Sequence, residues 1–142
     1  MSTSRFLTVS ILIGIYLNMV GWAGNALVLG DAWDEAYALI TISLTPPYPA
    51  LVKELLSLAS DFVYAFVLVW IFAKAAPAQA SPTRFAFVLI LVLWTGTVGV
   101  TYHALVNSGF LPFGIAWKTS LWALATFLPL GFVLPRTIAK SE

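Results

Sequence analysis

The stretch LVKELLSLASDFVYAFVLVWIFAKA, residues 51–75, decides the architecture. A helix rises about 1.5 Å per residue, so this run is long enough to cross a hydrocarbon core about 30 Å thick. Its charges sit near the ends, at Lys53, Glu54 and Lys74, except for Asp61 near the middle. An ionisable group at that depth is costly, so the helices around it must accommodate it. The rest of the chain supplies three more apolar segments that can do so.

Composition agrees with a membrane setting. The 142 residues are 61% hydrophobic and 15% aromatic, and only 9% are charged. Soluble domains carry about 25% charged residues. Nine per cent is too little to cover a water-facing globule, so we expect an integral membrane protein with the lipid bilayer as its solvent. Its length fits a single domain over residues 1–142. A net charge of +1 gives no sign of a nucleic-acid partner. The absence of cysteine excludes disulfides, thiolate catalysis and thiolate-bound metals, and the single histidine excludes a His-rich metal site. No motif implies a cofactor.

The first apolar segment, residues 5–29, exceeds the hydrophobic region of a secretory signal. With Met1 retained, we expect it to be a spanning helix. DAWDEAYALITISLTPPYP comes next, mixing Asp31, Asp34 and Glu35 with Trp33 and Tyr37, a pattern suited to the headgroup region. It reads as a short interfacial helix over residues 32–43 and an extended proline turn. The second span, residues 51–75, leads into the loop AAPAQASPT. Arg84 opens the third span, residues 84–106, and NSGFLPFGIA at 107–116 reads as another interfacial or partly re-entrant link. The fourth span covers residues 117–134, bent by Pro129 and closed by Pro135.

The expected fold is therefore all-α: a polytopic, antiparallel four-transmembrane-helix bundle with short interfacial segments. Four spans put both termini on one side. Five basic residues (Arg5, Lys74, Arg84, Arg136, Lys140) fall on that side and two (Lys53, Lys118) on the other. The positive-inside rule then makes both termini cytoplasmic. No repeat relates the two halves, which weakens an inverted-repeat transporter reading.

Each span carries small or polar residues at helical spacing. They are Gly14, Asn18, Gly21 and Asn25 on the first and Glu54, Ser57, Asp61 and Tyr64 on the second. The third has Gly96, Gly99 and His103, and the fourth Thr119, Ala123 and Thr126. Steps of three and four keep each set on one face, where small residues admit a neighbouring backbone and polar ones bond across helices. Counting from the outer ends, Asn18, Asp61, Thr95 or Thr97, and Thr126 fall about 15–20 Å deep. Asn25, His103 and Thr119 form a shallower layer.

Two explanations compete for this seam. In one, Asp61 is a protonated strut holding the bundle together, with Asn18 as its partner. In the other, Asp61 and His103 mark a path or pocket for protons, an ion or a small polar ligand, with Asn18, Asn25, Tyr64 and Thr126 beside them. A lone histidine next to Tyr102 also suits a plain interfacial position, and an axial ligand to a haem or chlorophyll is chemically open to it. The six tryptophans sit where packing or interface aromatics belong. Glu54 beside Lys53 reads as an interfacial charge pair. No phosphate loop, metal-ligand pair or nucleophile–base arrangement is present, so no enzymatic activity is expected.

The segment GWAGNALVLGDAW, residues 21–33, ending the first span, together with a fourth span bearing several tryptophans, resembles small bacterial four-helix membrane proteins grouped as a domain family of unknown function. The resemblance implies this architecture and a bacterial inner membrane, and it assigns no functional residue. Two functions stand as expectations. The first is a non-enzymatic accessory or scaffold component of a larger membrane complex or homo-oligomer. The alternative is a small transporter or ligand-binding protein with a polar site around Asp61 and His103.

Overall fold

A computed structural model describes residues 1–39 and 49–138. Among these the chain is all-helical: α1 (Thr3–Leu27), α2 (Gly30–Leu39), α3 (Ala50–Ala75), α4 (Pro82–Trp94), α5 (Val100–Asn107), α6 (Phe113–Phe127) and α7 (Leu130–Ile138). A single π turn, Thr95–Gly99, joins α4 to α5 into one continuous rod. Among the described residues, four helical stretches are long and apolar enough to cross a bilayer: Thr3–Leu27, Glu54–Ala78, Pro82–Asn107 and Phe113–Thr137. The protein is thus an integral membrane protein built on four apolar spans.

Local chemistry explains where the boundaries depart from the sequence reading. The third span starts at Pro82, because the Ser81 hydroxyl accepts the Arg84 amide at 3.3 Å and Pro82 sits at the first helical position. It ends in a Schellman turn: Phe110 N–H reaches the Leu105 carbonyl at 3.0 Å and Gly109 N–H reaches that of Val106 at 3.0 Å. That turn needs the positive φ of 74° that Gly109 adopts. The link after the third span is therefore short, and α6 begins directly after Pro112. Pro129 splits the fourth span into α6 and α7. Pro135 lies inside α7 instead of closing it, and the helix runs on to Ile138. The interfacial helix is α2. The remainder of its expected range and the proline turn before Pro49 lie outside the described residues, as does Lys140.

The spans pack as antiparallel neighbours. Phe6 meets Phe66 edge-on at 5.7 Å, while further along Asn18 faces Asp61, so α1 and α3 run in opposite directions. Phe87 of α4 meets Phe132 of α7 at 4.8 Å, and Trp94 Nε1 donates to the Ser120 carbonyl of α6 at 2.9 Å. The main core lies toward the basic end, where Leu68, Val69, Phe72, Ile90 and Leu134 are fully buried. A second, smaller core forms at the acidic end, where Ala36 of α2 packs with Leu111, Ile115 and Ala116. Asp31, Asp34 and Glu35 lie on the exposed face of α2.

Glycines on the first and fourth spans receive aromatic rings. A Cβ at Gly14 would meet the Phe62 ring at 2.5 Å, and one at Gly131 would meet the Phe87 ring at 2.6 Å. At Gly24 it would run into the Trp122 indole. Gly21, three residues away, has nothing within 4 Å of its would-be Cβ. Alanine favours an open helical site by about 1 kcal/mol over glycine, whereas overpacking costs about 1–3 kcal/mol. Gly24→Ala should therefore destabilise the protein by about 1–3 kcal/mol, while Gly21→Ala should be neutral or stabilising by up to about 1 kcal/mol. Equilibrium unfolding in mixed micelles reads both; equal effects would show that the indole does not occupy the Gly24 gap.

Candidate functional site

α3 packs through only part of its length. Ala65, Leu68, Val69 and Phe72 are buried, whereas Leu55, Leu56, Leu58 and the rest of residues 54–60 are exposed. Near the basic end α3 and α4 meet through the Phe72–Phe85 stack at 5.8 Å. Toward the acidic end the two spans leave a cleft of about 760 Å³ between them.

Ser60, Asp61 and Tyr64 of α3 form one wall of this cleft. The opposite wall comes from Thr97 and Val98 of the π turn and from Thr101, Tyr102 and Leu105 of α5. Phe127 of α6 adds the floor, and Trp33 of α2 with Phe110 and Leu111 borders the outer end. Thr97, Thr101, Leu105 and Ser60 are exposed, so the cleft is open along one side. The π turn sets the far wall. One extra residue in the turn rotates the succeeding residues by about 100° relative to a continuous α-helix. Thr97, Thr101 and Leu105, four residues apart, share one face and line the cleft opposite Asp61.

Asp61 sits eleven residues along α3 from Ala50, about 16 Å at 1.5 Å per residue. Asn18 Nδ2 donates to its Oδ2 at 3.3 Å, and the carboxylate is half-buried. Tyr64 lies one turn further on, its ring stacked against Phe127 with centroids 4.7 Å apart and planes 13° apart. The Tyr64 hydroxyl is buried and has no hydrogen-bond partner among the described residues. Thr97 turns its own hydroxyl to the Leu93 carbonyl at 2.7 Å.

The other residues singled out from the sequence are placed elsewhere. Thr126 is 6% exposed; its hydroxyl donates to the Trp122 carbonyl at 3.0 Å, and its carbonyl accepts from the Tyr16 hydroxyl at 2.9 Å. It supports the bundle beside the cleft without lining it. Asn25 is exposed and lines neither cleft. His103 is hydrogen-bonded through Nε2 to Asn107 Nδ2 at 2.9 Å and lines a separate cleft of about 260 Å³ with Trp94, Trp117 and Ser120. Thr101 and His103 point about 200° apart around one helix, so they cannot face the same space. The Asp61 and His103 sites are separate, with Tyr102 bordering both.

Trp33, Ser60, Thr101, Tyr102, Phe110 and Phe127 are among the lining residues that spacing did not single out. The available hint was Thr95-Gly96-Thr97-Val98-Gly99 inside an apolar span, a run of poor helix formers where the helical repeat was prone to slip. Among the described residues, no group of three His, Asp or Glu side chains converges to hold a metal.

Comparison with protein-family models, with curated proteins and with solved structures finds no match for this chain. The likeness seen in the sequence is therefore one of architecture, a small membrane protein of four long apolar helices.

The Asn18–Asp61 bond should register as energetic coupling. Hydrogen bonds between membrane helices average about 0.6 kcal/mol and reach about 1.7 kcal/mol. A double-mutant cycle with Asn18→Ala and Asp61→Ala should return a coupling of about that size. Additive losses would show that the pair contributes nothing specific.

Proposed function

We propose that this protein is a small ligand-binding or transport protein of the membrane, with its site in the cleft at Asp61. The observation that carries the reading is the cleft itself, about 760 Å³ in volume, with an intramembrane carboxylate in its wall. A sealed seam would place packed side chains there. Ligand pockets have volumes of about 300–1,000 Å³ and combine mostly apolar walls with a few polar groups. Ser60, Asp61, Tyr64, Thr97 and Thr101 supply those polar groups.

The accessory or scaffold reading, as part of a larger complex or a homo-oligomer, has less behind it. Of the seam glycines, Gly14 and Gly24 already receive Phe62 and Trp122 of the same chain, which leaves Gly21 and Gly96 as the open positions for a partner helix. We read the site as binding instead of catalytic, because among its described lining residues Asp61 has no second carboxylate, histidine or lysine to share acid–base work. The proposed location is a bacterial inner membrane with both termini cytoplasmic. Arg5, Lys74, Arg84 and Arg136 at one end, with Asp31, Asp34 and Glu35 at the other, favour that orientation.

Two measurements test this. Native mass spectrometry of protein extracted in mild detergent from its own membrane should show a small-molecule adduct, lost when Thr97→Phe fills the cleft. A fixed-stoichiometry second polypeptide with no adduct would instead support the scaffold reading. For orientation, single cysteines can be added to this cysteine-free chain. A membrane-impermeant maleimide should label Lys118→Cys in intact cells and leave Ser81→Cys unlabelled until the membrane is opened. The reverse pattern would invert the topology.

A further inference from the structure

Resting on the reading of the Asp61 cleft as a binding site, we infer that its ligand is a lipophilic organic cation: an amine, quaternary ammonium or phosphonium centre on an apolar body. Asp61 is the one Asp, Glu, Lys, Arg or His among the described lining residues, and it accepts a hydrogen bond from the neutral Asn18 amide at 3.3 Å. A carboxylate accepts up to about four hydrogen bonds, so one long bond from an amide leaves most of its capacity open. A cation beside it would balance the charge in a medium where an unpaired one is costly.

The rings that border the cleft point to the same class. Trp33, Tyr64, Tyr102, Phe110 and Phe127 all border this one space. Aromatic faces attract cations through their quadrupole, most strongly where water is excluded. An anion would meet Asp61 with no basic side chain to offset it among those residues. A hard metal ion needs six or more oxygen ligands, and no cluster of three His, Asp or Glu side chains is present among the described residues. The cleft also opens on one side between α3 and α5, so an apolar body can extend outward while the charged centre stays at Asp61. At the outer end the exposed acids of α2 flank Trp33 and raise the local concentration of cations.

The test uses the full chain in lipid nanodiscs, with empty discs as the blank. Three probes share the aryl shape and differ in charge: tetraphenylphosphonium, neutral triphenylphosphine oxide and anionic tetraphenylborate. The phosphonium should bind saturably, about tenfold or more tighter than the neutral oxide, with the borate weakest. Asp61→Asn should remove most of that preference, Asp61→Glu should keep it, and Thr97→Phe should weaken every probe. Should Asp61→Asn fail to fold, the charge ranking on the unaltered protein together with Asp61→Glu still decides the matter. Saturable binding with no preference for the cation overturns the ligand class while leaving the cleft as a site. Absence of saturable binding for all three overturns both.

Discussion

Backbone amides and carbonyls cannot be left unpaired in hydrocarbon, and the whole structure depends on that constraint. It requires helices across each span and governs how interruptions are tolerated. At the fourth span Pro129 breaks the ladder, and the Tyr16 hydroxyl of α1 donates to the Thr126 carbonyl three residues before the break. Trp94 Nε1 donates to the Ser120 carbonyl inside α6, a contact between spans away from any break. On the third span the π turn keeps the backbone paired while changing its register, and Thr97 returns its hydroxyl to the Leu93 carbonyl. Each irregularity therefore comes with a polar contact, and the one near Pro129 also ties α1 to α6.

With the backbone satisfied, shape complementarity determines which helices touch. Water does not drive helices together within lipid, so close van der Waals packing matters more than apolar character. Phe62, Trp122 and Phe87 fill spaces opened by Gly14, Gly24 and Gly131. These contacts join α1 to α3, α1 to α6, and α4 to α7. The outer part of α3 has no equivalent filling from α5, and the two spans diverge there. The cleft is the consequence of that divergence. Asp61 lies on its wall because α3 places it one turn before Tyr64, at the level where packing with the far spans ceases.

The span count, all-helical class and polarity of the ends were legible in the sequence. They depend on local quantities, the length of apolar runs and the position of charges. The Asn18–Asp61 contact was legible as well, since both residues lie at similar depth on adjacent antiparallel spans. The grouping of His103, Asn25 and Thr126 with Asp61 was not recoverable in that way. Depth places a residue along the membrane normal and says nothing about the direction in which it points.

Sequence by itself determined that this chain crosses a bilayer four times and carries a carboxylic acid within it, because both come from transfer free energies summed along a line. Tertiary structure alone decided which side chains share a space. That depends on helix rotation, and at Thr95–Gly99 one π turn changes the rotation by about 100° without altering the hydrophobicity of the segment. Beyond that turn Thr101 lines the Asp61 cleft, while His103, two residues on and on the opposite side of the same helix, lines a different one.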